Sequence, residues 1–308
     1  ADAFSRMWSD LIGIPEDLAD GDDNTQLSEA EVDAMVADDI AVLATDVESG
    51  VAALLAEIDL LKEQVASLEA ESGVGPDTVI YGDYSASNSI EIAALAGYTE
   101  ITGSLSVYYS DIGDLSALSS LTTVGDDLAI GNMPNITNFS GLDNLTSVGG
   151  TFSITNVDNA SSLEGLGSLE TVGGSFSIQY NDELESFSGL DSLHSVGIEL
   201  YVVNNDKLAS VTGLSALENA RKLYFYNNNA LSSLDGFEAL RSTRYIYFVE
   251  NDALTNVDAL YGLTSPDGTY EFIDNSSLCR SSVDGLIAVL SGLGGWSGYF
   301  PPSSSWDC

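Results

Sequence analysis

Tyrosine and basic side chains concentrate in the second half of the chain, at positions that recur about every 23 residues. Tyr201, Tyr224 and Tyr247 follow one another at this interval. If each interval contributes one strand of a sheet, a strand spacing of about 4.8 Å places the three rings in one column. The full candidate binding surface comprises Tyr201, Tyr224, Tyr226, Tyr245, Tyr247, Arg221, Lys222 and Arg244.

These residue types favour recognition of a partner. Tyr and Arg offer large, stiff contact areas and charge-assisted hydrogen bonds, which are typical of recognition surfaces. Stacked aromatic rings equally suit sugar rings, so we expect a cell-surface glycan or glycoprotein as the partner. Two other interpretations stay open: the tyrosines stabilise the sheet, or they contact a neighbouring subunit.

A second candidate site is the acidic segment DGDDNTQLSEAE, residues 20–31. It resembles an EF-hand calcium loop, although Thr25 stands where that loop needs glycine for its turn. The resemblance implies a calcium site, and calcium is the one cofactor that the sequence suggests. The oxygen ligands would be Asp20, Asp22, Asn24, Gln26, Ser28 and Glu31. Alternatively, Ser28 and Glu31 form a capping box for the helix that follows.

The chain has two cysteines, Cys279 and Cys308, and they bracket its C-terminal segment. We expect them to form a disulfide, which would stabilise the fold by roughly 3 to 4 kcal/mol in the chain-entropy model. Such a bond indicates an oxidising compartment or a cell surface. Two free thiols are the alternative.

Catalytic signatures are sparse. His194 is the only histidine, and the sequence contains no glycine-rich phosphate loop. A pair of carboxylates of the glycosidase type stays possible, but Glu199 and Glu271 would lie about three strands apart on the aromatic face. We therefore expect a protein that is not an enzyme.

The charge of the chain is extreme, because 48 acidic residues face only eight basic ones and the net charge is −40. Such a surface repels itself unless salt screens it, and in molar salt the Debye length falls to about 3 Å. The composition is typical of proteins from extreme halophiles; an ordinary acidic secreted protein is the alternative. It argues against partners rich in phosphate, so we expect no nucleic acid and no membrane insertion.

The chain repeats itself every 23 to 25 residues between Ile80 and Leu278. Each unit begins with a short strand of alternating apolar residues and continues through an asparagine-rich corner to apolar residues at every third position. Such units bury a core only by stacking, which predicts a solenoid of about eight to nine rungs. The first apolar residues of the units, their anchors, are Ile80, Leu105, Leu128, Phe152, Phe176, Leu200, Leu223, Ile246 and Tyr270.

Two units end in LTSVGG (145–150) and LETVGG (169–174). These motifs resemble the receptor L-domain and similar leucine-rich repeats of secreted proteins. The resemblance covers about 200 residues and implies a mainly β, right-handed, leucine-rich-repeat-like solenoid whose surface diverges between members. It weakens at LENARK (217–222) and LRSTRY (240–245), where basic and aromatic residues replace the V-G-G ending.

The sequence pattern of the N-terminal part predicts a helical stalk. After a short helical and acidic segment, 1–28, residues 29–72 predict one long helix with apolar or small residues spaced by three and four between Ala37 and Leu68. This spacing predicts a coiled coil, and apolar residues flanking its seam favour a homotrimer over a dimer. Alternatively, the helix packs along its own solenoid. A linker, 73–78, then leads to the solenoid, 79–278, and a C-terminal cap, 279–308.

Together these features predict an extracellular, oligomeric recognition or adhesion protein of a halophilic system. A trimeric stalk with a β-rich head suits a fibre, spike or turret of a virion that binds its host. A haloarchaeal cell-surface adhesin fits nearly as well. The remaining alternatives are a purely structural subunit of a virion or surface layer and a glycoside-active solenoid.

Overall fold

The structure is a computed structural model, and it describes residues 29–72, 78–108, 112–294 and 297–299. The chain divides into two compact units, Ala1–Pro76 and Asp77–Cys308. The second is called the solenoid unit below.

The described part of the first unit is helix α1, Glu29–Ser72. Its 44 residues extend about 66 Å at 1.5 Å per residue. Val47, Val51, Leu54, Ile58 and Leu61 lie on the seam that the sequence predicts, and they are 46% to 63% exposed. None of the described helices combines the length and the apolar character needed to cross a bilayer.

The solenoid unit is mainly β. Its described strands are β1 (Val79–Ile80), β2 (Tyr84–Ala86), β3 (Glu100–Ile101), β4 (Leu105–Tyr108), β5 (Thr123–Val124), β6 (Leu128–Gly131), β7 (Ser147–Val148), β8 (Phe152–Thr155), β9 (Thr171–Val172), β10 (Phe176–Gln179), β11 (Ser195–Val203), β12 (Asn219–Tyr226), β13 (Ser242–Val249), β14 (Ser265–Ile273) and β15 (Ser297–Tyr299). Two helices, α2 (Ser89–Ala93) and α3 (Arg280–Leu293), and two 3₁₀ turns, Ser116–Leu118 and Asp258–Gly262, complete the described elements.

All strand pairs in the described residues are parallel, and the chain forms a solenoid of about eight turns. The sheet forks. Strands β1, β3, β5, β7 and β9 form one column, and β2, β4, β6, β8 and β10 form a second. Both columns pair with β11, which is long enough to continue them together into β12, β13 and β14.

The fork follows from the corner between the two short strands of each early turn. At this corner, a Cβ on Gly149 or Gly173 would stand 2.0 or 2.2 Å from the carbonyl oxygen of the preceding turn, so these positions accept only glycine. From β11 to β12, one residue fewer separates the two halves of the strand, and Arg221 lies at the shortened corner. Strand β11 already runs unbroken through its full-length corner, and the shorter corner of β12 continues it as one strand.

The core consists of columns of apolar side chains that repeat from turn to turn. Anchors such as Leu128, Phe152 and Phe176 are fully buried, and the rings of Phe152 and Phe176 stack with 4.9 Å between centroids. Each turn contacts mainly its neighbours, so burial depends on stacking, as the repeats predict.

The asparagine-rich corner forms a buried ladder, as expected. It consists of Asn181, Asn205, Asn228, Asn251 and Asn275, which are at most 2% exposed. From Asn181 to Asn251, each side-chain amide donates to the Oδ1 atom of the next member at 3.1 to 3.3 Å. The same Oδ1 atoms accept main-chain N–H groups, so the ladder satisfies polar groups inside the corner.

The first anchor was predicted wrongly. Ile80 pairs with Ile101 in the first column, whereas Tyr84 pairs with Leu105 and holds the anchor position. Ile80 occupies the position that valine holds in the V-G-G ending of later units. That position also carries an apolar residue, because it packs against the core as the anchor does. Periodicity alone confuses the two columns, because both are apolar.

The C-terminal segment contains more regular structure than its description as a cap implies. Helix α3 buries Val283, Leu286 and Leu290, and strand β15 extends the sheet beyond β14. Cys279 is disulfide-bonded. The other cysteine of the sequence, Cys308, lies outside the described residues.

Candidate functional site

Tyr201, Tyr224 and Tyr247 form one column across β11, β12 and β13, called the tyrosine column below. They are direct register partners on adjacent strands. The rings of Tyr201 and Tyr224 stack with centroids 5.1 Å apart and planes 13° apart; those of Tyr224 and Tyr247 are tilted at 6.0 Å. All three side chains are partly exposed, so the column lies on the outer face of the sheet.

Lys222 lies against the tyrosine column. Its Nζ atom is 4.6 Å from the ring centroid of Tyr224 and 5.2 Å from that of Tyr247, within the range of cation–π attraction. The same Nζ atom is 2.7 Å from Oε1 of Glu199. By its distance this contact is an ion pair, but its angles do not make a directed hydrogen bond. The buried Oε1 atom of Glu199 has no hydrogen-bond partner among the described residues. The lysine charge is therefore held over the rings.

Tyr245 and Arg244 extend the aromatic surface along β13. The rings of Tyr245 and Tyr247 stack with centroids 6.5 Å apart, and the guanidinium carbon of Arg244 is 5.5 Å from the centroid of Tyr245. A continuous series of contacts therefore joins Arg244 to Tyr201 through the intervening rings.

Tyr226 lies at the other side of the tyrosine column, two residues beyond Tyr224 on β12. The negative charge of the nearby Glu250 carboxylate raises the pKa of Tyr226. Burial is the first cause that raises the pKa of Tyr201 and of Tyr247. These phenols therefore stay neutral above the ordinary value of about 10, and their hydroxyl groups remain available to donate and accept hydrogen bonds.

Arg221 and Arg244 line a shallow polar groove of about 360 Å³ beside the aromatic surface. Among the residues that the structure describes, no carboxylate lies within 4.0 Å of either guanidinium group. The floor and walls of the groove are Ser195, Val196, Gly197, Asn219, Ala220 and Ser242.

Three further basic residues, which the sequence also places in this half of the chain, do not join the surface. Lys207 pairs with Glu183 at 2.6 Å, and Arg280 pairs with Asp284 at 3.4 Å. Arg241 donates to the main-chain carbonyl of Glu238. Clustering in sequence therefore overstates the positive charge of the face.

Sequence reasoning missed Tyr180, which is 48% exposed and lies close enough to Tyr201 to raise its pKa. Tyr180 adopts a left-handed backbone with φ of 55°. Most equivalent corner positions, such as Asn156 and Asn204, carry Asn or Asp, which tolerate this conformation. Other units have the dipeptide Asn–Asn at this corner, whereas this unit has Tyr180–Asn181. That departure is the sequence signal that could have identified Tyr180.

The predicted calcium site cannot be placed. Asp20, Asp22, Asn24, Gln26 and Ser28 lie outside the described residues, and of Glu31 the structure describes only its place in α1. Within the described ranges, no group of three or more His, Cys, Asp or Glu residues is arranged to hold a metal ion.

Comparison with known proteins yields no relative: no family model, no curated protein and no solved structure matches this chain. The resemblance to the receptor L-domain therefore stays a prediction.

Proposed function

We propose that the protein is a non-enzymatic surface recognition or adhesion protein, with the solenoid unit as its recognition head. The observation that carries this proposal is the tyrosine column with Lys222 held over it. Three in-register aromatic rings with a fixed cation form a broad, stiff surface of the kind that binds sugar rings or protein side chains. The partner is a cell-surface glycan or glycoprotein.

The earlier turns carry small residues at the positions equivalent to the three tyrosines, which indicates that strand pairing alone does not require tyrosine. Ser106, Ala129, Ser153 and Ser177 occupy the same register column in strands β4, β6, β8 and β10. Ser177 is the direct partner of Tyr201. These small residues pair in an intact sheet, so the change to tyrosine in three successive turns serves a purpose beyond pairing.

The proposed stalk is a coiled coil of several copies of α1, formed through residues 37–68. Its support is the apolar stripe along the helix, which remains exposed in the single chain. Leaving such side chains in water is unfavourable by about 25 cal/mol per Å², so a second and third copy would bury them. A trimer remains our preferred assembly, because Val36, Leu43 and Leu55 flank the seam and widen it beyond what a dimer needs.

We place the protein outside a cell, in a halophilic setting, with a right-handed, L-domain-like solenoid as the head. The net charge of −40 supports the setting, because high salt removes the self-repulsion of such a surface. A virion fibre, spike or turret is the preferred identity, and a haloarchaeal adhesin is the alternative.

The head is tested by the double change Tyr224→Ala and Tyr247→Ala in the full chain. Tyr81→Ala is the matched control, because Tyr81 is a 77% exposed tyrosine next to β1. In high salt, we expect the double variant to lose binding to host-type cells while its circular dichroism and assembly stay unchanged, and the control to bind normally. Unchanged binding by the double variant would refute the head proposal, and loss of assembly would assign the column to subunit packing.

The stalk is tested separately by Leu54→Glu, with Ser49→Glu as the control that adds the same charge away from the seam. Sedimentation equilibrium in high salt should report a multiple of the 32.4 kDa chain for the parent and for Ser49→Glu. Leu54→Glu should shift the mass towards that of the monomer. A monomeric parent protein would remove the stalk proposal.

A further inference from the structure

Arg221 and Arg244 occupy equivalent positions on neighbouring strands. Lys222 pairs with Tyr245 across β12 and β13, so the residue preceding each of them shares one register position. Adjacent parallel strands lie about 4.8 Å apart, and like charges directly opposite each other destabilise a sheet. The two guanidinium groups therefore carry an electrostatic cost.

The chain is rich in carboxylates that could neutralise the two guanidinium groups, yet none of the described ones is placed to do so. Acidic residues outnumber basic ones by 48 to eight, and Lys62, Lys207, Lys222 and Arg280 all have a carboxylate within 4.0 Å. Arg221 and Arg244 are exposed and lack such a partner among the described residues. An anion from outside the chain would neutralise both.

The groove between them provides the remaining contacts. Ser195, Asn219 and Ser242 are register partners on β11, β12 and β13, and all three line the groove. Their hydroxyl and amide groups add neutral hydrogen-bond donors and acceptors beside the two guanidinium groups. Gly197 also lines the groove, and it contributes only main-chain groups to that wall.

The groove is continuous with the tyrosine column, because the Arg244 guanidinium contacts Tyr245 and the Tyr245 ring stacks on Tyr247. Arg221 precedes Tyr224 by three residues, which corresponds to about 10 Å along the strand. A ligand that reaches both must therefore present an anionic group within about 10 Å of a surface suited to aromatic stacking.

Resting on the function proposed above, we infer that the partner is an acidic saccharide. Its carboxylate or sulfate group binds between Arg221 and Arg244, and its sugar rings lie on the tyrosine column. Both anions accept the paired hydrogen bonds that guanidinium groups donate. These bonds act at contact distance, so high salt weakens them less than it weakens long-range attraction.

A densely charged polyanion fits less well. A nucleic acid duplex carries one charge per about 1.7 Å, and charges beyond the two arginines would be repelled by a chain whose net charge is −40. A saccharide with widely spaced charges avoids that repulsion.

Titration calorimetry of the full chain in high salt tests the inference with four probes: a galacturonate hexamer, a sulfated maltohexaose, neutral maltohexaose and hexaglutamate. We expect the parent protein to bind at least one acidic saccharide, and to bind the neutral one more weakly. The relative affinities of the first two probes separate a carboxylate ligand from a sulfate ligand. Absence of binding to both acidic saccharides, or equal binding of hexaglutamate, would overturn the inference.

Arg221→Gln combined with Arg244→Gln should weaken binding of the acidic saccharide at least about 100-fold, since each charge-assisted contact contributes roughly a tenfold factor or more. Arg241→Gln is the matched control and should bind like the parent. Normal affinity in the double arginine variant would show that the anionic group does not bind between Arg221 and Arg244, and would overturn the inference. If that variant also fails to change cell binding while Tyr224→Ala with Tyr247→Ala abolishes it, the recognition head stands and only this inference falls.

Discussion

Asn228 offers a sharp test of how the solenoid is held together, because it lies fully buried in the middle of the asparagine ladder. Its Oδ1 atom accepts from the main-chain N–H and from the side-chain amide of Asn205, both at 3.1 Å. Its own amide donates to the carbonyl oxygens of Val202 and Tyr226 and to Oδ1 of Asn251. Asn228→Ala removes all of these bonds.

The magnitude follows from the groups that the change leaves without partners. The Asn205 side-chain amide retains the carbonyl oxygens of Ile178 and Val203, and the Tyr226 carbonyl still accepts from the Asn204 N–H. The main-chain N–H of Asn205 loses its acceptor in a buried corner. One unsatisfied buried donor costs about 1 to 3 kcal/mol, and the small cavity adds to this, so we expect a loss of about 2 to 4 kcal/mol.

The assay is urea unfolding in high salt, followed by circular dichroism, with thermal unfolding as a second measure. For a unit of this size the loss corresponds to a Tm lower by roughly 5 to 15 °C. Asn229→Ala is the matched control: this exposed neighbour bonds Asn227, and its removal should change stability by less than about 0.5 kcal/mol. Equal unfolding midpoints for the two variants would refute the reasoning that the ladder stabilises the fold.

Three further predictions concern backbone strain, charge and close packing. Tyr180→Asn should raise the free energy of unfolding by about 1 kcal/mol, because asparagine tolerates φ of 55° better than tyrosine; a lower Tm would contradict this. Burial and Asp182 raise the pKa of Asp158, so the folded state binds this proton more tightly and its contribution to stability is lost as pH rises through the raised value. Asp158→Asn should therefore stabilise the fold in dilute salt at pH 7 and not at pH 3; unfolding curves with the same gain at both pH values would exclude this. Gly173→Ala should lower stability by about 2 kcal/mol or more, because its Cβ would stand 2.2 Å from a main-chain oxygen, whereas Gly167→Ala has open space and should be tolerated; equal Tm values would disprove the close approach.

The repeat period was sufficient to predict the stacked turns, most anchors and the asparagine ladder. These features depend on the residue type at a fixed offset, which a single sequence displays directly. The exception was the first turn, where Ile80 was taken for the anchor that Tyr84 provides. Helix α3 was not predicted, because residues 279–308 were assigned only as a C-terminal cap, with no secondary structure specified.

The candidate site was predictable only in part. Alternation along the strand placed the tyrosine column on the outer face, and the register pairs agree. The position of Tyr180 depends on a left-handed corner, and the pairing of Arg221 with Arg244 depends on the loss of one corner residue. Both are backbone properties that side-chain periodicity does not reveal.

The merging of two short strands into one has a consequence for the way in which the protein opens. Strands β11 to β14 contain eight or nine residues each in one piece, whereas a forked turn has about six strand residues divided between two short strands, so more ladder bonds must break together in β11 to β14. Regions with denser bonding exchange their amide hydrogens more slowly and unfold last. Heat or pulling force would therefore unfold the forked turns first, while the long strands β11 to β14 still hold the tyrosine column in place.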